Sequence, residues 1–574
     1  MPNNTVTKTE LQLSLSNDSL PKTIGAIKFT TLSRTGNLLA ELHNEGVQDV
    51  VAYFNTLVWS ELSDRNQTRM AYVLEAFLGA VQDTTKHVTS LLHTMRDRMV
   101  SKHIYHVDKG FKAWAKANPT QISEVAQLIK DEKQDSPFLH TLLCVWREVA
   151  PSKALQAAIS FSRSDRPDAK RQAILALASF VNNDSKGAES VENRLVELAT
   201  SGSVDDKCNA ISAIAQILGN QEERSPRLVA TLEKLACQPD AKVQHHLIKG
   251  LAHHSNAYPP SLRGKVLFLM KTVQSDRFET VQLIDLVLYE MNLDTERETV
   301  FETLTEILGQ ESGAPSFKDF DSVVHKIQTA AHEVIGWYAT CWLLNGQHEI
   351  CDQVDSLFPP LDMSVYNFKL DEVDLSDAEI FYLIHKVYVY LMFCHGPATS
   401  LLCACLMSLS LRQRKLLEQD IASFWLRNFP SDLDLFDAVY KAFPRKGLKA
   451  SIRRMRRQVD AYQEPLRSLP TNPALRPSTM ERRTQSEIVH ERNKEINRIV
   501  DESSLLSSLV HKSTLLYGRS SVTYVRSGES DEPTRQVIPL QRYHTSSELP
   551  HMEVLHPTHL RYLLFQFRRE RRPE

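Results

Sequence analysis

Apolar residues recur at helical spacing along most of this chain. The segments 47–62 and 69–81 carry them at i, i+3, i+4 and i+7, the stripe of an amphipathic helix facing a core. Two-residue alternation, the mark of a half-buried strand, is almost absent before residue 520. The pattern predicts a mostly α protein.

Between 165 and 310 the stripe repeats. Ala173, Ile174, Ala176 and Leu177 align with Ala210, Ile211, Ala213 and Ile214, and these with Leu247, Ile248, Gly250 and Leu251, each step being 37 residues. Leu195, Leu232 and Leu269 follow the same step, as do Leu198 with Leu235 and Ala199 with Ala236. A fourth copy puts Ile284, Val287 and Leu288 in the core of its first helix. One amphipathic helix pair cannot bury its apolar face alone, so such pairs must stack. Ala176, Ala213 and Gly250 are small enough to admit close helix approach. Turn-formers at Asn182-Asn183-Asp184, Ser201-Gly202-Ser203, Gly219-Asn220 and Pro259-Pro260 separate the helices. Ser225-Pro226 reads as an N-cap followed by proline at the first helical position.

Pro167-Asp168-Ala169-Lys170-Arg171 with the Ala/Leu stripe after it, and Asp240-Ala241-Lys242-Val243-Gln244, resemble the first helix of HEAT (armadillo-like) repeats. Those open on an Asp/Pro turn and a Val-Arg-like pair; Cys208 and Asn209 depart from that pair. The resemblance covers about four units and implies architecture alone: an α-solenoid of stacked antiparallel helix pairs.

The most apolar stretch, 380–411, is interrupted by His385 and Lys386 and cut by His395-Gly396-Pro397. Neither half reaches the ~20 residues of a membrane span, so a buried helical hairpin and no membrane span are expected. Pro465, Pro470, Pro473 and Pro477 predict a linker. Ser478 and Glu481 form a capping box opening a helix through Ile488, Ile496 and Ile499, and 505–516 continues helical. The segments 521–526 and 535–541 alternate as a β-hairpin, with Pro539 marking an edge strand. A closing helix over 558–572 carries Leu560, Leu563, Leu564 and Phe567 on one face. The expected organisation is an N-terminal helical region (1–150), HEAT-like repeats (151–310), a continued helical region with the hairpin and a basic helix (311–463), a linker (464–477) and a small basic C-terminal α+β module (478–574).

Composition narrows the function. Glycine is 18 of 574 residues, which argues against folds built on Gly-rich turns. Eight cysteines without a CxxC pair imply no disulfide framework and a reducing, cytoplasmic setting. Residues 1–20 lack the apolar run of a secretory signal. Charge is lopsided: residues 441–574 hold 25 Lys and Arg against 15 Asp and Glu, and residues 1–440 hold 42 against 55. An anionic partner for the basic end, or a contact between the two halves, follows.

Catalytic motifs are incomplete. No phosphate-binding glycine loop exists, and His332-Glu333 lacks the second histidine of a zinc-protease helix. His245-His246 and His253-His254 are spaced too far apart to chelate one ion and read as polar solenoid surface. His544, His556 and His559, with His551, Glu548 and Glu553 among them, are the densest ligand-type group and the weak catalytic candidates; a polar loop before a docking helix is the alternative. No cofactor and no metal are expected. Arg445, Lys446, Lys449, Arg453, Arg454, Arg456 and Arg457 lie within 13 residues without an acid. They form the candidate phosphate- or partner-binding surface, and Asp371, Glu372, Asp374, Asp377 and Glu379 offer an intramolecular counterpart. The expected function is a non-enzymatic scaffold docking a protein partner on an extended concave surface. The alternative is a nucleic-acid-binding accessory protein using the basic helix 445–457 and the basic C-terminal module. The sequence does not specify an oligomeric state.

Overall fold

The computed structural model describes the chain except residues 1–5, 100, 132–137, 182–184, 222–223, 238–239, 360–362, 471–479, 481–482, 484–485, 488–489, 491–493, 495–511, 518–519, 526–533, 540–549 and 574. It divides into two compact units, Met1–Ala330 and Ala331–Glu574.

The first unit begins with α1 (Lys8–Ser16), α2 (Leu20–Ala26), α3 (Leu32–Asn44), α4 (Val50–Thr56), α5 (Asp64–Ala80), α6 (Thr85–Arg98), α7 (Ser101–Ala117), α8 (Ile122–Asp131) and α9 (Leu139–Val149). It continues with α10 (Pro151–Phe161), α11 (Pro167–Leu177), α12 (Ser185–Ser201), α13 (Val204–Asn220), α14 (Pro226–Ala236), α15 (Ala241–His253), α16 (Pro260–Met270), α17 (Phe278–Glu290), α18 (Arg297–Leu308) and α19 (Asp321–Gln328). From α3 to α19 each odd-numbered helix packs on the next odd one, making one row. In the second row α4 packs on α6 and α6 on α8, and α10, α12, α14, α16 and α18 pack in succession. This two-row stack of helix pairs is a HEAT-like α-solenoid.

The repeat explains the stack. Helices α11, α13, α15 and α17 begin at residues 167, 204, 241 and 278, each 37 after the last. Ile174, Ile211, Ile248 and Ile284 are all 0% exposed. Caps follow the sequence signals: Ser203 forms a capping box with Asp206, Asp240 accepts from the N–H groups of Lys242 and Val243, and Ser225 caps α14 ahead of Pro226.

Two positions differ from the sequence register. Leu269, expected to match Leu195 and Leu232, is only half-buried, because Pro260 starts α16 at residue 260, 34 rather than 37 after Pro226. Leu262, Val266 and Met270 take the inward face instead, and Phe268 is left 66% exposed. Gly250 makes room for a side chain more than for a helix: a Cβ there would lie 2.1 Å from the Tyr258 hydroxyl. That hydroxyl donates to the Leu247 carbonyl at 3.1 Å.

The second unit contains α20 (His332–Asn345), α21 (His348–Cys351), α22 (Asp377–Tyr390), α23 (His395–Ser408), α24 (Leu411–Ser423), α25 (Trp425–Asn428), α26 (Leu433–Ala442) and α27 (Leu448–Arg467). After these come β1 (Lys512–Tyr517), β2 (Ser520–Val525), β3 (Thr534–Pro539), α28 (His551–Leu555) and α29 (Pro557–Arg569). The buried hairpin is α22 and α23, broken just before His395. Among the described residues no helix is long and apolar enough to cross a membrane. None of the eight cysteines is in a disulfide.

Several C-terminal expectations change. Helix α27 runs through Pro465 to Arg467, so the linker expected over 464–477 does not begin at 464, and its residues 471–477 lie outside the described residues; Pro465 removes one main-chain bond in the last turn, after which only two helical residues remain. The capping box at Ser478 and Glu481 lies outside the described residues. Lys512 to Leu516, expected helical, is strand β1, paired antiparallel with β2, which pairs in turn with the edge strand β3. A separate α+β module over 478–574 is not formed as expected: α29 packs on α22 and α28 on α25, so the closing helices join the helical body. The amphipathic stripe of 558–572 needs an apolar partner surface, and α22 supplies it.

Replacing Ile214 with Asp places an uncompensated charge in the fully buried stack and is expected to cost about 3–5 kcal/mol. Leu269→Asp, at a half-buried position, is expected to cost clearly less. Urea unfolding of both variants checks this, and equal losses would reject the shifted register of α16.

Candidate functional site

The first turns of α11, α13, α15 and α17 lie side by side and enclose a groove of about 930 Å³. Because these helices start 37 residues apart, equivalent positions line it. Asp168, Asp205, Lys242 and Glu279 each occupy the second helical position, and Arg171, Cys208 and His245 the fifth. Ion pairs run within and along the row: Arg171 to Asp168 at 2.9 Å and Lys242 to Asp205 at 3.2 Å. Phe278, 56% exposed, supplies an aromatic face at one end.

Of the four histidines read as polar solenoid surface, His245 and His246 line this groove. His245 Nδ1 hydrogen-bonds Thr280 Oγ1 at 2.8 Å and His246 Nδ1 hydrogen-bonds Ser212 Oγ at 3.1 Å. Burial lowers the pKa of both, that of His246 to about 4, so both rings are neutral at neutral pH. Burial pushes the Cys208 thiol up to about 11, so it lines the groove as an apolar, unreactive group. The groove therefore presents mixed charges, neutral donors and acceptors, and one aromatic ring. The 37-residue step was legible in the sequence; the polar positions riding on it were the overlooked signal.

The basic run does not form one surface. Arg454 makes a bidentate pair with Glu418, both contacts at 2.6 Å, and Glu418 is 2% exposed. Burial pushes the Glu418 carboxyl up, but the hydrogen bonds from Arg454 and Ser451 and the arginine charges outweigh it, leaving the pKa below its usual value. Arg456 reaches Asp437 at 2.7 Å, and Arg445 donates to the Phe368 carbonyl at 2.7 Å. Lys449 sits over the Tyr440 ring, and Arg457 donates to the Arg453 carbonyl. Lys446, Lys449, Arg453 and Arg457 are exposed. In the acidic segment 371–379, Glu379 pairs with Arg572 at 2.6 Å.

Of the tail histidines, His544 lies outside the described residues. His556 and His559 are exposed, with ring centroids 6.2 Å apart. Among the described residues no group of three or more His, Cys, Asp or Glu could hold a metal ion.

No protein-family model and no curated protein sequence matches the chain. Solved structures resemble it at low similarity. Kap121p bound to RanGTP has 12% identity over 80% of this chain and 61% of that chain, with a TM-score of 0.33. UNC-45 from Drosophila melanogaster has 10% identity over 80% of this chain and 71% of that chain, with a TM-score of 0.32. The TSC2 N-terminus has 10% identity over 79% of this chain and 99% of that chain, with a TM-score of 0.21. The chain spans 61% of the length of Kap121p in that comparison. The solenoid architecture rests on the helix rows and their register.

Two outcomes are expected. The unfolded chain protonates histidine near pH 6.5 whereas His246 resists until about pH 4, so the unfolded state binds more protons in that window. Stability should be unaffected by this group above about pH 6.5 and fall as the pH drops toward about 4; His246→Gln should flatten that fall in urea titrations at stepped pH. Arg454→Glu sets a second carboxylate against buried Glu418 and should cost about 3–5 kcal/mol. Arg453→Glu should stay within about 0.5 kcal/mol of wild type, both variants being read by thermal melts.

Proposed function

We propose that the chain is a non-enzymatic α-solenoid scaffold that docks an extended segment of a partner protein along the groove on α11, α13, α15 and α17. The supporting observation is the repetition of lining positions across four successive helices. Packed helices lie 8–10 Å apart, and an extended chain advances about 3.3 Å per residue. Each repeat therefore meets about every third residue of a bound segment, with Arg171, Lys242, Asp205 and Glu279 available to its side chains. The three-stranded sheet β1–β3 is read as a small insertion ahead of the closing helices. The nucleic-acid alternative is weaker, because Arg445, Arg454 and Arg456 are engaged within the second unit.

Selection of random peptides on the intact protein tests this. Peptides so obtained should lose at least tenfold in affinity against a Lys242→Glu, Phe278→Ala variant, both sites being exposed and outside the core. Peptides indifferent to that variant would overturn the groove assignment. Tight, salt-sensitive duplex DNA binding lost on changing Lys446, Arg453 and Arg457 to Glu would favour the nucleic-acid reading instead.

A further inference from the structure

The most unusual side chain in the second unit is Lys386, 0% exposed on α22. Its ammonium donates to the carbonyl oxygens of Phe567, Arg568 and Glu570 at 2.9, 2.8 and 3.0 Å. The first two close the last turn of α29, whose terminal carbonyls have no partners within the helix and carry its negative dipole end. Lys386 thus reads main chain, independent of which side chains project there.

Side chains set the register. The Phe567 ring stacks on His385 at 4.2 Å and meets Phe424 edge-on at 5.6 Å. His385 contacts Glu570 at 2.7 Å, and Arg572 contacts Glu379. At the other end the Met552 N–H donates to Asn428 Oδ1 at 2.9 Å, and Asn428 is also 0% exposed. Between these anchors apolar burial is thin. Leu560 is buried, but Tyr562 and Phe565 are 57% and 53% exposed. These contacts join residues 124 to 193 apart in sequence, whereas the Arg454–Glu418 and His395–Asp432 contacts of the same unit span 36 and 37.

We infer that the groove formed by α22, Phe424 and Asn428 is a receptor site for the C-terminal end of an amphipathic helix, and that residues 551–572 are its ligand, held in cis and able to bind the same site in trans. The site is specified by polar anchors at its two ends, and its floor holds an ammonium and an amide that need acceptors and donors. Vacated, it strips the Lys386 ammonium of its three carbonyl acceptors, so it favours refilling by the same segment, including that of a second copy.

The test uses the chain ending at Pro550 and a fluorescent synthetic peptide of residues 551–574. The truncated chain should bind the peptide saturably. The full-length chain, its site occupied, should bind at least tenfold more weakly. Lys386→Met in the truncated chain and Phe567→Ala in the peptide should each weaken binding at least tenfold. Equal binding by truncated and full-length chains, or indifference to both substitutions, overturns the proposal. Should the truncated chain fail to unfold cooperatively, hydrogen exchange on the intact chain decides. Lys386→Met should speed exchange of residues 557–569 at least tenfold while residues 204–253 keep wild-type rates. Unchanged exchange at 557–569, or loss of protection in both segments, overturns it.

Discussion

A two-helix unit of this sequence cannot bury its apolar stripe without a neighbour, and the first unit is the consequence of that constraint. Each repeat offers one face to the unit before and another to the unit after. The polar contacts obey the same geometry. Asp285 on α17 accepts from the N–H groups of Ser322 and Val323 at the start of α19, and Arg277 reaches the side chain of Gln244 and the carbonyl of Ala241 on α15. Neighbours are joined at a separation of one repeat, so stability propagates along the stack as a sum of local interfaces. A groove crossing the repeats needs no separate construction: any position on the exposed first turn is repeated at every helix spacing.

How much of this the sequence discloses depends on the range of the interaction. The stripe Ile174, Ile211 and Ile248 is readable because the period is set by local helix geometry and stacking. Leu269 is misplaced because Pro260 resets the start of α16, and a proline three residues early outweighs a leucine in register. The basic run is readable as a cluster, but its destinations are not. Glu418 and Asp437 become partners only because α24 and α26 both pack on α27. Lys386 carried a usable signal, a cation inside the most apolar stretch of the chain. Its acceptors were invisible, being backbone atoms far downstream.

Burial is handled in two ways along the chain. In the first, His246 and Cys208 are kept uncharged, and their desolvation is met by losing or never acquiring a charge. In the second, the Lys386 ammonium is surrounded by carbonyl dipoles, and burial pulls its pKa below the usual lysine value. Arg454 and Glu418 meet the same problem by mutual neutralisation in a bidentate geometry.

The long reach of Lys386 has a temporal side. Translation delivers this lysine 181 residues before the carbonyl of Phe567. At about 5–20 residues per second, α22 waits roughly 10–40 s on the ribosome before its natural acceptors exist. Through that interval the hairpin that carries Lys386 lacks the carbonyl oxygens that bind its ammonium in the finished protein, and water takes their place. The first unit has no such delay, since each of its helices meets its neighbour within one repeat. The N-terminal half can therefore mature as it emerges, while the C-terminal half is completed only when α29 leaves the ribosome, making the last turn of that helix the timer for the assembly of its own unit.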